Sequence, residues 1–430
     1  MRAETVVCGT LVDYRGVHGE GCVVVEDGVI AGITSRPPSA VNLLDHRGRG
    51  AYVAPGFIDL HVHLRGLRLS YKEDEYSGTA AAAASGIAMV VDMPNTVPRL
   101  ATVEALSEKL QALERYSLVD YSVYAGIPGD IEEASRLASM PIAGFKVYPG
   151  DLLDRFSVVR GILGSSDTLV VVHPELPEAE KPLVESNSSR TLHRGCHWEI
   201  AAVELIASLQ PRARVHITHV SCPSTLERAR SAGFTVDVTP HHLLLQEWSE
   251  DCLFRVNPPL RSPHYSMLLL EKLLGGTVDA FASDHAPHAV WEKSEPLTCR
   301  PGIPWLEAWP QMLYCLVVAK ALRLDEYLWL VSRGPARILG LSGYGVLEPG
   351  ARANITVFKP GPDRVLAPGL SKARYIPYFM ERSCMEVLAT IVGGAVVYRE
   401  GVLTGETGAV NPLSWPGGAH WRPYHEKDSP

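Results

Sequence analysis

The chain has 430 residues, 46% hydrophobic and 20% charged, which is enough apolar material for one large folded unit and a smaller one. A formal net charge of −8 and a pI near 6.1 exclude the broad basic surface that nucleic acids or anionic membranes require. No run reaches the roughly 18 apolar residues of a membrane span, and the opening "MRAETVVCGTLVDYRG" lacks a signal peptide's apolar core, so a cytoplasmic location is expected. Eight cysteines (Cys8, Cys22, Cys196, Cys222, Cys252, Cys299, Cys315 and Cys384) are scattered without a CxxC pair. The expectation is buried thiols in a reducing compartment rather than a cysteine zinc site or a disulfide framework. Six Asn and four Gln fit a hot environment or a GC-rich genome equally.

In chain order, the first fifty residues alternate β-branched residues with Gly and Asp turns, as in "VVCGTLVDYRG" and "CVVVEDGVIAGI", a pattern of short antiparallel strands. From Tyr52 onward eight apolar runs follow: "AYVAPGFIDLHVHL", "GIAMVVDMPN", "LVDYSVYAG", "IAGFKVYPG", "TLVVVHPE", "RVHITHVS", "FTVDVTPHH" and "VDAFASDHAP". Between them lie segments with helical spacing, such as "ATVEALSEKLQALERYS" and "HWEIAAVELIASL". Strands alternating with helices predict a (β/α)₈ barrel, because parallel strands need crossover helices and closure removes the edges. An open doubly wound sheet is the alternative. "GVLEPGARANITVF" and "EVLATIVGGAVVYREG" return to the short-strand style, so residues 1–52 and 346–430 are expected to form one small β-sandwich domain beside a barrel of 53–345. The tail "WPGGAHWRPYHEKDSP" is expected to lack regular structure.

Barrel active sites lie at the C-terminal ends of the strands, and the polar residues of this chain collect there. His61 and His63 end the first predicted strand, Asn95 follows the second, Lys146 is late in the fourth, His173 ends the fifth, His219 the sixth and Asp284 the eighth. Alternate residues of a strand face one side, so His61 and His63 can hold one metal. Hydrogen-bonded core histidines would explain an isolated HxH, but not the further ligand types on neighbouring strand ends. Lys146 sits inside an apolar strand, where an unpaired ammonium is costly; a buried lysine of depressed pKa can take up carbon dioxide to give a carbamate that bridges two metals. Snorkelling to the rim, or pairing with a carboxylate, is the alternative. In "FASDHAPH", Asp284 can ligate metal through one oxygen and accept a proton through the other. His285, and the pair His241 and His242 in "VTPHHL", stand between supporting the ligands and touching substrate.

The ordered motifs "GFIDLHVHLR", "VVDMPNTVP", "GFKVYPG", "VTPHHLLL", "RVNPPLRS", "FASDHAPH" and "RPGIPWLE" resemble those of the amidohydrolase superfamily, and closely those of its dihydroorotase family. The resemblance implies two zinc ions per subunit, bridged by carboxylated Lys146 and a hydroxide. His61 and His63 would bind the first with Asp284, and His173 and His219 the second. It further implies that Arg65, Asn95 and His288 hold the substrate's α-carboxylate, a group suited to a guanidinium fork, and that the backbone around Asn257, Pro301 and Gly302 meets the ring amides. The activity implied is the reversible cyclisation of N-carbamoyl-L-aspartate to L-dihydroorotate in pyrimidine biosynthesis. The chain departs from the family's "HLREPG" with "HLRGLRLSYKE", which puts the loop beside Arg65 in question. Another cyclic amidase, an allantoinase or hydantoinase, would keep the ligands yet need neither Arg65 nor Asn95. A non-catalytic partner of aspartate carbamoyltransferase would have no need of all six ligand positions. A homo-oligomer and a carbamoyltransferase complex both fit the family.

Overall fold

The computed structural model describes residues 3–166, 168–180, 187–245, 251–294, 299–365, 369–375 and 382–414; the tail discussed above lies outside the described residues. Eight strands run parallel: β1 Phe57–Val62, β2 Ile87–Asp92, β3 Asp120–Gly126, β4 Gly144–Val147, β5 Leu169–Val172, β6 Arg214–Ile217, β7 Thr235–Val238 and β8 Ala280–Phe281. Each pairs with the next in sequence, and a parallel bridge between Val62 and His285 joins the first to the last. The helical spacing read from 101–117 appears as a helix over Val103–Tyr116, capped by Thr102, whose side chain accepts from Ala105 N.

The period of two along a strand sorts side chains between two cores. On β5, Leu169 and Val171 pack within the barrel, while Val170 and Val172 join the cluster shared with the surrounding helices. His173 continues the inward row one step beyond the strand. On β4, Phe145 and Val147 join the outer cluster, which leaves Lys146 on the barrel side.

The two ends of the chain pair, as expected. A nine-stranded mixed sheet contains Ala3–Asp13, Gly16–Glu26, Val29–Thr34, Ala40–Asp45 and Tyr52–Pro55 together with Ile355–Val365, Arg382–Val392, Ala395–Arg399 and Val402–Leu403. Tyr52–Pro55 is the seam: it lies parallel to Ala3–Asp13 and antiparallel to Ile355–Val365. The run "AYVAPGFIDLHVHL" is therefore two strands in two sheets rather than one. The change of sheet occurs at Gly56, where a Cβ would stand 2.5 Å from Ala88 Cβ. Asp120, fully buried on β3, ties the units together by accepting from Arg352 Nη2 (3.1 Å), Asn354 Nδ2 (2.8 Å) and Tyr344 Oη (2.8 Å).

The cysteines overturn the thiol expectation. All eight are paired, as Cys8–Cys22, Cys196–Cys222, Cys252–Cys299 and Cys315–Cys384. Cys8 and Cys22 face each other across a single hairpin, whereas the other partners are 26 to 69 residues apart in sequence and are brought together by the tertiary fold. Cys315–Cys384 ties the helix Trp309–Val318 to a strand of the nine-stranded sheet. By loop-closure entropy, a bridge across 69 residues contributes about 4 kcal/mol. Protein denatured without reductant is expected to expose no reactive thiols to a colorimetric thiol reagent and to expose eight after reduction, with a lower thermal midpoint for the reduced form.

Candidate active site

The site begins with His61 and His63, at and just beyond the end of β1. Their Nε2 atoms both lie 3.1 Å from Asp284 Oδ1, and the three side chains form a buried group able to hold a metal ion. The tautomers follow from the neighbours. Thr218 Oγ1 donates to Asp237 Oδ2 (2.8 Å), so it accepts from His61 Nδ1–H (2.7 Å), and the His61 Nε2 lone pair faces the cavity. His63 Nδ1–H donates to Asn95 Oδ1 (2.6 Å), with the same result. Burial holds the His61 imidazole well below its ordinary pKa, helped by the nearby Lys146, so the ring is neutral and ready to ligate.

His173 and His219 stand beside this group, with ring centroids 4.5 Å apart and His219 5.1 Å from His61. His173 Nε2 meets Glu175 Oε2 at 2.6 Å. Burial alone would raise the Glu175 pKa, but Arg194 and His173 bring it down to about 2. Asp237 Oδ1 accepts from His219 N (2.6 Å) and fixes the turn that carries the ring. Arg65, His219 and Asp284 all adopt left-handed backbone, with φ of 57, 41 and 48 degrees, so local strain gathers at the site.

Lys146 has no solvent exposure, and among the described residues its Nζ has no hydrogen-bond partner. Burial brings its pKa down to about 7, offset in part by Asp284 and Asp237. His219 Nδ1 is likewise buried without a partner among the described residues. Two orphaned nitrogens, beside imidazoles already turned with a free lone pair, are the chemistry of a donor set awaiting cations; the residues fit a metal centre.

The other predicted residues fall into two sets. Arg65 is buried, with Nε donating to Pro287 O (3.3 Å) and Nη2 lying 3.3 Å from His288 Nε2. His288 Nε2 donates to Pro301 O (3.1 Å), while Gly302 N donates to Arg255 O (2.8 Å). Asn257 Oδ1 accepts from Arg190 Nη2. The second set supports. His285 uses Nε2 on Glu73 Oε2 (3.3 Å) and Nδ1 to accept from Trp305 N (3.0 Å). His242 is held by Thr239 Oγ1 (2.8 Å) and Pro258 O (3.1 Å), and His241 Nδ1 accepts from Trp305 Nε1 (3.0 Å).

Sequence reasoning missed the groups that hold these residues. The departure "HLRGLRLSYKE" has a physical reason. Arg65, Gly66 and Leu67 are left-handed in succession, and a Cβ on Gly66 would stand 2.0 Å from Glu75 Oε1. Glu75 is there to meet the fully buried Lys109, at 2.6 Å, and Lys109 also reaches Asp92 (2.8 Å) and Arg65 O (3.2 Å). A buried ion cluster thus seats the backbone of Arg65. Polar residues inside apolar runs, such as Thr218 in "HITHVS" and Asp237 in "TVDVT", were the available signal.

Comparison with known proteins bears on this geometry. The Amidohydrolase family profile matches residues 199–398, and the Dihydro-orotase-like profile matches residues 50–154. The chain is 45% identical to a dihydroorotase of Aeropyrum pernix over 385 residues, covering 85% of this chain and 88% of that one. It is 39% identical to a dihydroorotase of Saccharolobus solfataricus, covering 72% and 75%. Among solved structures, an L-hydantoinase (dihydropyrimidinase) from Arthrobacter aurescens has a TM-score of 0.84 at 23% identity, over 94% of this chain and 98% of that one. A D-hydantoinase from Thermus sp. reaches 0.84 at 20% identity, over the same shares. At such identities the hydantoinases share the fold.

Thr218→Val, which removes the acceptor for His61 Nδ1–H at nearly constant volume, is expected to weaken metal retention about 10- to 100-fold. A chelator titration followed by metal analysis measures it.

Proposed function

The chain belongs to the dihydroorotase family of amidohydrolases, and from that membership we propose that it interconverts L-dihydroorotate and N-carbamoyl-L-aspartate in pyrimidine biosynthesis. The observation that carries the reading is the buried Arg65 guanidinium beside His288, a seat for a carboxylate next to the His61, His63 and Asp284 group. Hydantoin and allantoin carry no such carboxylate.

His61, His63 and Asp284 would hold one zinc and His173 and His219 the other, with Lys146, as its carbamate, supplying a further ligand. The buried Lys146 amine, held near pKa 7, supports this role, because carbamate formation starts from the neutral amine. When bound, the two zinc ions acidify water and polarise the scissile amide carbonyl. The chain's own residues do the rest. Arg65, Asn95 through its Nδ2, and His288 orient the α-carboxylate; the backbone near Asn257, Pro301 and Gly302 receives the ring amides. In ring opening, the Asp284 carboxylate takes the proton of the attacking water as the C–O bond forms and gives it to the ring nitrogen as the C–N bond breaks. In ring closure it takes a proton from the ureido nitrogen as that nitrogen attacks the side-chain carboxyl, and returns it to the carboxyl oxygen that, with one more proton drawn from solvent, leaves as water.

A cytoplasmic location is part of this reading. The described residues include no helix long and apolar enough to cross a membrane, and intracellular proteins of hyperthermophilic archaea do keep disulfides.

The direct test is turnover by purified, zinc-loaded protein, with dihydroorotate, hydantoin and allantoin in parallel. Dihydroorotate alone is expected to react, and its share at equilibrium should grow as pH falls, because ring closure removes a carboxylate and consumes a proton. Inactivity toward dihydroorotate with zinc bound would transfer the site to another cyclic amide. Lys146→Ala should lower kcat by at least about 1,000-fold, on the scale of losing a central electrostatic group, while circular dichroism shows an intact fold. Full turnover in that variant would remove the carbamate from the account.

A further inference from the structure

A second lysine is buried at this mouth, and neither the metal group nor the carboxylate seat uses it. Lys72 Nζ lies 2.8 Å from Glu292 Oε1 and 3.2 Å from His288 Nδ1. Glu292 is itself fixed, its Oε2 accepting from Ala289 N (3.0 Å) and its Oε1 from Tyr71 Oη (3.3 Å). On the other side of the His288 ring, Nε2 lies 3.1 Å from Pro301 O and 3.3 Å from Arg65 Nη2.

These contacts determine where the ring hydrogen sits. A carbonyl only accepts, so Nε2 carries the hydrogen; an ammonium only donates, so Nδ1 carries the lone pair. Burial together with Arg65, Lys72 and Lys293 keeps the ring neutral. Arg65 Nη2 and His288 Nε2 are therefore both donors and form no bond with each other. Pro301 O already receives the His288 Nε2–H, so Arg65 Nη2 is the donor left facing that ring. A carboxylate placed between the two supplies the acceptor that Nη2 needs and can share the Nε2–H. Were Lys72 absent, Nδ1 could take the hydrogen and turn to Glu292 Oε2, 3.4 Å away, leaving the Nε2 lone pair against Pro301 O.

We propose that Lys72, anchored by Glu292, is a positioning residue that holds His288 as its Nε2–H tautomer, so that His288 and Arg65 together present donors to the substrate's carboxylate. The assignment rests on the dihydroorotase reading above and adds to it the group that makes the seat selective for a carboxylate-bearing ring. A ring without that carboxylate leaves Arg65 Nη2 unanswered, a penalty that discriminates far more strongly than shape alone.

The test is steady-state kinetics in both directions with Lys72→Met and Lys72→Arg, alongside zinc content and thermal midpoint. Lys72→Met should raise KM for dihydroorotate and for N-carbamoyl-L-aspartate at least about tenfold, the scale of a hydrogen bond to a charged group, with kcat within about threefold and zinc unchanged. Lys72→Arg, which keeps a cationic donor, should recover most of the loss in KM. Should Lys72→Met fail to fold because Glu292 is left buried and alone, the double variant Lys72→Met with Glu292→Gln carries the same expectation. An unchanged KM, or a fall in kcat that accompanies lost zinc, overturns the assignment while leaving the dihydroorotase reading in place. Wild-type protein that binds zinc and ignores dihydroorotate overturns both.

Discussion

An ammonium taken wholly out of water must be neutralised, and the mouth of the barrel is organised around that constraint. Lys146 is surrounded by β-strands and lies 5.5 Å from the Tyr148 ring centroid, a contact far too weak to offset the loss of hydration. The fold meets the cost by letting the amine discharge. The His61 and His219 imidazoles are then kept neutral by the same burial, and neutral imidazoles are the form that binds metal. One physical circumstance, a dry and mostly apolar barrel end, prepares lysine and histidines together.

Several other charges in this region are paired, and each of these pairs fixes a backbone segment that carries a site residue. Asp237 holds the turn at His219 and, through Thr218, the ring of His61. Lys109 with Glu75 and Asp92 seats Arg65, and Glu175 with Arg194 stands behind His173. Removing one member of such a buried pair strands its partner, which typically costs about 3–5 kcal/mol. The strain at Arg65, His219 and Asp284 persists because these pairs over-determine the positions around it.

The HxH motif, Lys146 and the polar strand ends were legible because hydrophilic side chains inside apolar runs are conspicuous in one dimension. The barrel was legible for the same reason, as alternating periodicities. What stayed hidden depends on which element lies next to which. Thr218 and Asp237 meet across two adjacent strands, Lys109 reaches over from a helix to Arg65, and Lys72 reaches 216 residues along the chain to His288. Cysteine pairing was invisible for that reason too, since spacing alone cannot select among connectivities. The split of the first apolar run at Gly56 escaped notice because both halves are equally apolar and the change of sheet is a matter of packing against Ala88.

The seam at Tyr52–Pro55 has a bearing on synthesis. Val53 pairs with Val357, so this strand's antiparallel neighbour leaves the ribosome about 300 residues later, on the order of fifteen seconds to a minute at ordinary elongation rates. Throughout that interval the nascent chain carries an open, apolar sheet edge, the kind of surface on which chains associate wrongly. The barrel must therefore assemble while its companion sheet is half built, and arrival of the C-terminal strands completes both. A polypeptide truncated before Ile355 would retain the eight barrel strands yet keep that edge exposed, so the last segment would act as an intramolecular guard against aggregation.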